Sequence, residues 1–266
     1  MPIALRKKWR MRFSKWHALG NAYLVVERSD LSEPLSPEVA SRLCDPHYGV
    51  GADGVLEVAA VHGAEADVLV WNPDGSLAEL SGNGARIAAM WLARRSAVAF
   101  PLVRIGQRTL PARIDGNEVE VDLGLVDVGR PEALEVRGKR LEFTPVSIGN
   151  PHAVFRREPT RRELLRLGPL VESHERFPAR TNVQLVRADG PADLTVRVWE
   201  RGVGETLASG SSAAAAAAAA VAQGWCESPV RVHLPGGTLL VDIREGRAIL
   251  SGAVTEIFQG EMVSEL

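Results

Sequence analysis

Cysteine, aromatic residues and an excess of charge of one sign are all scarce in this 266-residue sequence. Two cysteines, Cys44 and Cys226, are too few for a disulfide framework. A formal net charge of −2 gives no electrostatic basis for binding nucleic acid or an anionic membrane. The longest uncharged apolar run, 213–222, is about half of what a membrane span needs, and no signal-peptide core follows the basic N-terminus. These absences favour a soluble cytoplasmic protein.

One stretch, residues 209–223 with the sequence SGSSAAAAAAAAVAQ, stands out from the rest of the chain. Alanine is the best helix former, Ser209 occupies an N-cap position, and Gly224 supplies a stop. Alanine side chains cannot fill the space around a helix, so we expect this one to be buried with sheet close against its backbone. Unpaired N–H groups and the positive end of the helix dipole meet at its N-terminus, where Gly210 lets a ligand approach.

A second stretch, residues 81–94 with the sequence SGNGARIAAMWLAR, repeats this small-residue helix start. Trp71 lies ten residues before Ser81, as Trp199 lies ten residues before Ser209. Two further spacings recur: 32 residues in Asn21–Asp53 and Asn150–Asn182, and 43 residues in Ser81–Gly124 and Ser209–Gly252. A register kept over about 110 residues predicts an internal duplication.

Hydrophobic periodicity predicts the same element order in each half of the chain. The first half has strand patterns at 12–15, 23–27, 55–59 and 66–71, a helix pattern at 37–44, and a meander at 102–123. The second half has strand patterns at 140–146, 153–156, 182–186 and 194–198, a helix pattern at 161–167, and a meander at 231–251. We therefore expect an α+β fold of two pseudo-symmetric domains, each a curved antiparallel sheet around a central small-residue helix.

The expected domains span residues 11–127 and 128–253, and the last strand, within 254–266, is free to pack back onto the first domain. Residues 1–10 lie outside the duplicated register, so we interpret them either as an extension or as a wrongly assigned start, with Met11 the real beginning. The N-termini of the two central helices should then face a shared cleft between the halves.

Two equivalent half-sites around one ligand suit a reaction that needs the same group on opposite faces of a carbon. Inversion of a stereocentre is such a reaction: one group removes the Cα proton and its twin returns a proton from the other face. Helix N-termini would hold the α-carboxylate and stabilise the developing charge. Five asparagines on turns or helix starts are candidates for hydrogen bonding to the polar groups of an amino acid: Asn21, Asn72, Asn83, Asn150 and Asn182.

Seven short motifs occur in one order along the chain: WHALGN at 16–21, GVGADG at 49–54, NPDGS at 72–76, SGNGAR at 81–86, GNPH at 149–152, TNV at 181–183 and ERG at 200–202. Together they resemble diaminopimelate epimerase, over essentially the whole chain from Met11. The resemblance implies a cofactor-independent isomerase of two pseudo-symmetric domains that interconverts LL- and meso-diaminopimelate in lysine and peptidoglycan biosynthesis, usually as a homodimer. It implies no metal, pyridoxal phosphate or nucleotide.

The resemblance also implies roles for individual residues. The five asparagines would contact the substrate, Glu200 and Arg201 would hold its distal and α-groups, and His152 and Glu200 would tune the catalytic pair. The helix-start N–H groups would come from Gly82, Asn83, Gly210 and Ser211.

This chain departs from the family at the two catalytic positions. The family's acid and base are cysteines ahead of Gly-Asn-Gly and Gly-Thr/Ser-Gly, where this sequence has Ser81 and Ser209. A thiol titrates near 8.5 and lower at a helix N-terminus, whereas a helix dipole worth about 1 kcal/mol cannot bring a serine hydroxyl into that range. Ala22 and Ser212 replace the family's aspartate and glycine. Epimerisation by this pair should be orders of magnitude slower.

Three interpretations remain open. The chain is a family member that binds substrate and turns it over weakly, a paralogous isomerase with Glu200 or His152 as its base, or a non-catalytic amino-acid-binding protein. Taken alone, Ser81 and Ser209 are typical N-caps, and Cys44 and Cys226 are ordinary thiols away from helix starts. The remaining histidines show no metal-ligand spacing: His17, His47, His62, His174 and His233.

Overall fold

The computed structural model describes residues 8–265, so most of the expected N-terminal extension lies outside the described residues. The first strand nevertheless begins at Lys8, ahead of the expected start at Met11. The first half contains β1 (Lys8–Ala18), β2 (Asn21–Glu27), a 3-10 turn (Arg28–Asp30), α1 (Pro37–Cys44), β3 (Val55–His62), β4 (Glu65–Trp71), α2 (Gly82–Ser96), β5 (Leu102–Ile105), β6 (Arg108–Asp115) and β7 (Glu118–Leu125).

The second half continues with β8 (Asp127–Val128), β9 (Glu132–Val136), β10 (Lys139–Ser147), β11 (Pro151–Arg156), α3 (Arg161–Glu172), β12 (Asn182–Gly190), β13 (Asp193–Glu200), β14 (Gly204–Thr206), α4 (Gly210–Ala222), β15 (Val230–Leu234), β16 (Gly237–Arg244), β17 (Arg247–Ala253) and β18 (Thr255–Glu265). The sequence analysis did not predict β8, β9 and β14. The expected boundary between residues 127 and 128 falls inside β8.

The strand pairings repeat between the halves. In the first half, β1–β2 and β3–β4 are antiparallel, β2–β3 and β4–β5 are parallel, and β5–β6 and β6–β7 are antiparallel. The strands β10, β11, β12, β13, β15, β16 and β17 repeat this sequence of pairings in the same order. The α+β class is confirmed, and the sheets, which were expected to be antiparallel, also contain two parallel pairs in each half. Helices α1 to α4 are crossover connections, which parallel neighbours require.

Three further pairings lie where the halves meet. β7 pairs with β17 in antiparallel orientation, so the last strands of the two meanders share one sheet. β8, which contains the expected boundary, pairs with β10 of the second half, and β18 pairs with β1, the first strand of the first half. Backbone hydrogen bonds therefore tie the two halves together.

The two central helices, α2 and α4, are enclosed by strands. α4 contacts β10, β11, β12, β13, β16 and β17, and every residue from Gly210 to Ala220 is buried. α2 is surrounded in the same way by β1, β2, β4, β5, β6 and β7. The alanine side chains let the strands approach the α4 backbone closely, as the sequence analysis predicted, and both helices belong to one hydrophobic core. No helix among residues 8–265 is long and apolar enough to cross a membrane.

Candidate active site

The N-termini of α2 and α4 meet head to head at the junction between the halves. A methyl group on Gly82 would lie 2.9 Å from the Cα of Gly210, and the reciprocal distance is also 2.9 Å. The first backbone bonds inside these helices run from Ala85 N–H to Ser81 C=O and from Ala213 N–H to Ser209 C=O. The preceding N–H groups therefore have no acceptor within their own helices. Two positive helix ends thus point toward one small volume.

Ser81 caps α2 and also contacts a tyrosine. Its Oγ accepts a hydrogen bond from Gly84 N–H at 2.9 Å, which satisfies one of the unpaired donors. Its Oγ lies 3.0 Å from the hydroxyl oxygen of Tyr23, on β2. Burial raises the pKa of Tyr23 well above its ordinary value, so this side chain stays a neutral phenol.

Ser209 occupies the equivalent position on α4 but does not cap the helix with its side chain. Its hydroxyl donates instead to Oε2 of Glu200 at 3.0 Å, at the end of β13. Burial raises the pKa of Glu200, while the hydrogen bond from Ser209 acts in the opposite direction. The two serines therefore differ: Ser81 lies beside a phenol, and Ser209 lies beside a carboxyl group that is poised to accept a proton.

Two adjoining cavities lie at this junction. The smaller one, about 100 Å³, is lined by Ser81, Ser209 and both helix starts. The larger one, about 430 Å³, extends toward Asn150, Asn182 and Arg201. Their lining sets share Asn72, Pro73, Ala78, Leu80, Glu200, Val203 and Ser211, so the two cavities are neighbours along one cleft.

The structure brings together all but one of the site residues predicted from the sequence. The smaller cavity is lined by Asn21, Asn72, Ser81, Gly82, Asn83, Glu200, Ser209, Gly210 and Ser211. The larger cavity adds Asn150, Asn182 and Arg201. His152 lines neither of them.

His152 is buried behind the cleft. Its Nε2 lies 2.9 Å from Oδ1 of Asn150, and its Nδ1 lies 3.0 Å from Nε2 of Gln184. Gln184 Nε2 also donates to the hydroxyl of Ser212, at the start of α4. Burial and then the charge of Arg201 lower the pKa of His152 to about 3, so the ring is neutral. The expected influence of His152 on the catalytic pair stays a prediction. Its ring nitrogens contact Asn150 and Gln184.

Several asparagines are already engaged in holding the cleft together. The side-chain amide of Asn83 donates to Oδ1 of Asn21 at 3.0 Å and to the carbonyl of Ala208, next to Ser209, at 3.1 Å. Asn182 accepts from the backbone N–H of Arg201 at 3.0 Å and donates to the carbonyl of Pro151. These bonds fix the backbone around the start of α4 and around Arg201.

Sequence analysis did not assign Tyr23 or Asp53 to the site, although both line the smaller cavity. Asp53 Oδ2 accepts a hydrogen bond from Ala22 N–H at 2.7 Å. The duplicated register held a signal for both residues, because it aligns Tyr23 with His152 and Asp53 with Asn182. Cys44 and Cys226 are buried, and burial raises the pKa of both thiols, as expected of unreactive cysteines. Within residues 8–265, no group of His, Cys, Asp and Glu side chains is arranged to hold a metal ion.

Comparison with solved structures identifies the class of fold. A hydroxyproline epimerase from Agrobacterium vitis aligns with a TM-score of 0.74, covering 98% of this chain and 95% of its own, at 14% sequence identity. At that identity the likeness concerns the fold alone. This chain therefore shares its overall fold with that protein.

Sequence comparison identifies the family. The profile of the diaminopimelate epimerase family matches residues 13–128 and 144–255. A diaminopimelate epimerase from Magnetococcus marinus is 38% identical over 273 residues, covering 95% of this chain and 97% of that protein. Another, from Pelotomaculum thermopropionicum, is 35% identical over 277 residues, covering 94% and 98%. The chain belongs to the diaminopimelate epimerase family, a family of isomerases.

Proposed function

We propose that this protein is an epimerase of diaminopimelate that works by transferring protons at Cα in the cleft between α2 and α4. The observation that carries this proposal is the head-to-head arrangement of the two helix starts, with Ser81 and Ser209 around one cavity. Free N–H groups at both helix starts suit an α-carboxylate and the negative charge that develops on it when Cα loses its proton.

Ser81 and Ser209 stand, in this proposal, at the positions of the family's catalytic cysteines. A serine hydroxyl can accept a Cα proton only if it transfers its own proton to another group. Ser209 already donates a hydrogen bond to Glu200, which is therefore the acceptor. On the opposite face, Ser81 would donate its hydroxyl proton to the planar carbanion. The neutral phenol of Tyr23 would then donate a proton to Ser81. This transfer leaves Tyr23 as a phenolate. Turnover should be slow, because the raised pKa of Tyr23 makes formation of that phenolate unfavourable.

A second candidate function follows from Glu200 itself. Its half-buried carboxyl group has a raised pKa and lines both cavities, so it is a stronger base toward Cα than a serine hydroxyl. A paralogous isomerase that uses Glu200 directly is therefore the alternative to a proton relay through Ser209.

The test is proton NMR of LL-diaminopimelate with the protein in D₂O, followed at the α-proton signal. The matched variant is Ser81→Cys/Ser209→Cys, which restores the family's thiols. We expect slow exchange with the unsubstituted chain and an increase of orders of magnitude with the double variant. Exchange with neither protein would refute diaminopimelate as the substrate, and fast exchange with the unsubstituted chain would favour catalysis by Glu200.

This proposal also includes the site residues given above and a homodimer. It further includes the division of the chain into two units, 11–127 with 254–266 and 128–253. The pairing of β18 with β1 supports this division, because it places the last strand beside the first strand of unit 11–127. A cytoplasmic location stays a prediction from composition. Light scattering on the purified protein tests the homodimer.

A further inference from the structure

Four polar side chains form one hydrogen-bonded network behind the larger cavity. The network runs from Asn150, which lines that cavity, through His152 and Gln184 to Ser212. β11 and β12 are parallel neighbours, which brings His152 beside Gln184. His152, Gln184 and Ser212 are each no more than 1% exposed. With so little contact with solvent, each of these groups depends on its neighbours in the network for hydrogen bonds.

The atoms that face the two nitrogens of the His152 ring decide where its hydrogen lies. Nε2 faces Oδ1 of Asn150 at 2.9 Å, and an amide oxygen can only accept a hydrogen bond. Nδ1 faces Nε2 of Gln184 at 3.0 Å, and an amide nitrogen can only donate. Both contacts require the same neutral tautomer, in which Nε2 of His152 carries the hydrogen and Nδ1 is the acceptor.

Gln184 is the member of the network that imposes this direction. Its Nε2 donates to Nδ1 of His152 and to the hydroxyl of Ser212, both at 3.0 Å. Its Oε1 has no hydrogen-bond partner within residues 8–265. An amide turned the other way would present Oε1 to both neighbours and would require the hydrogen of His152 on Nδ1. The orientation of the Gln184 amide and the tautomer of His152 are therefore coupled.

The direction of the network reaches the larger cavity through Asn150. Because the amide oxygen of Asn150 is bound to the ring, its NH₂ group is the part left for a ligand in the cavity. A reversed network would bind the NH₂ group and leave the oxygen instead.

We propose that Gln184 is a positioning residue, which fixes His152 as the Nε2–H tautomer and thereby makes Asn150 a hydrogen-bond donor to the ligand. An NH₂ group suits a carboxylate, which can only accept. The effect on affinity rests on the proposed function, in which the ligand carries carboxylates, whereas the effect on the tautomer does not.

The experiment is nitrogen NMR of the isotope-labelled full chain without ligand, because long-range correlations show which ring nitrogen carries the hydrogen. His152→Gln identifies the signals of this ring by their loss. We expect the Nε2–H tautomer in the unsubstituted protein. Gln184→Glu replaces the donor with a carboxylate, which accepts from a histidine N–H, so we expect a hydrogen on Nδ1 in that variant.

Two further variants separate this effect from general damage to the fold. Gln184→Met keeps the length of the side chain but supplies no donor, so both neutral tautomers should be populated. Gln107→Glu is the matched control, the same change at an exposed residue outside both cavity linings, and it should leave the ring unchanged. The measurement on the unsubstituted protein decides the tautomer even if a substitution prevents folding.

Calorimetric titration of the same proteins with LL-diaminopimelate tests the connection to Asn150. Because a hydrogen bond from the Asn150 NH₂ group to a carboxylate is lost, we expect the Kd to rise at least about tenfold with Gln184→Glu. The rise should be smaller with Gln184→Met, and Gln107→Glu should leave the Kd unchanged.

A hydrogen on Nδ1 in the unsubstituted protein would overturn the role of Gln184, as would a hydrogen that stays on Nε2 alone in Gln184→Glu. Movement of the hydrogen to Nδ1 with an unchanged Kd would overturn the connection to Asn150. Absence of diaminopimelate binding to the unsubstituted protein would overturn the proposed function, while the NMR result would still decide whether Gln184 fixes the tautomer.

Discussion

Gly82 and Gly210 lie so close that neither position has room for a side chain. A Cβ on Gly210 would lie 2.9 Å from the Cα of Gly82 and 2.8 Å from Cδ2 of Leu250. Both contacts are shorter than any normal carbon–carbon contact. The cleft exists because two helix starts from different halves of the chain touch through backbone atoms.

Replacement of Gly210 by alanine should therefore lower the free energy of unfolding by about 1–3 kcal/mol, the usual cost of overpacking. Urea denaturation followed by circular dichroism measures the change. Gly190→Ala is the matched control, because a Cβ there meets only Asp193 Oδ2 at 3.8 Å. The control should stay within about 0.5 kcal/mol of the unsubstituted protein. Equal stability of the two variants would contradict the close contact at Gly82.

Local signals in the sequence predicted much of this arrangement. The helix pattern at 37–44 predicted α1, and the repeated Ser-Gly starts predicted α2 and α4. The duplicated spacing then placed both helix starts at one cleft. These features depend on residues that are neighbours in the chain or that recur at a fixed interval.

What the sequence could not predict depends on contacts between distant segments. The parallel pairing of β2 with β3 follows from how α1 crosses the sheet, and hydrophobic alternation does not encode strand direction. Tyr23 meets Ser81 across 58 residues, and Glu79 meets Arg201 across 122. Short strands such as β14 carry too few residues to show a period.

The buried neutral His152 should make the protein sensitive to acid. Burial lowers its pKa from 6.5 to about 3, so the unfolded chain binds a proton that the folded chain does not. Its contribution to stability is therefore present above about pH 6.5 and is lost as the pH falls toward 3. We expect a slope of up to about 1.4 kcal/mol per pH unit in that window, which His152→Gln should remove. Urea unfolding at several pH values measures the difference in slope. Parallel curves for the two proteins would contradict a buried neutral ring.

Arg86, on α2, is buried, and two of its nitrogens, Nε and Nη1, have no hydrogen-bond partner within the described residues. Burial lowers its pKa to about 10. Its Nη2 donates to Oδ1 of Asn83 at 2.8 Å, which orients the amide that bonds Asn21 and Ala208.

Arg86→Met removes two unpaired donors and one hydrogen bond. The free energy of unfolding should therefore fall by no more than about 1 kcal/mol, or should rise. Ligand binding should weaken, because Asn83 loses its orientation. Unfolding and calorimetric titration of the same variant separate the two effects. A loss of several kcal/mol with unchanged affinity would show that Arg86 serves the fold alone.

Glu172, at the end of α3, holds the turn that carries Glu200 and Arg201. Its Oε2 accepts from the indole N–H of Trp199 at 2.7 Å, and its Oε1 accepts from Gly202 N–H at 2.8 Å. The two donors lie on either side of Glu200 and Arg201 in the sequence. Glu172→Gln keeps the size of the side chain but places an NH₂ group opposite one of these donors. We expect a loss of about 1–3 kcal/mol in the free energy of unfolding and a weaker affinity for diaminopimelate.

Trp199→Phe separates the two hydrogen bonds that the Glu172 carboxylate accepts. It removes the indole donor and leaves the bond to Gly202, which fixes the far side of the turn. Stability should fall, whereas the affinity for diaminopimelate should fall less than it does with Glu172→Gln. Urea unfolding and calorimetric titration of both variants supply the comparison. If Trp199→Phe weakened binding as much as Glu172→Gln, the position of Arg201 would depend on the indole contact rather than on the bond to Gly202.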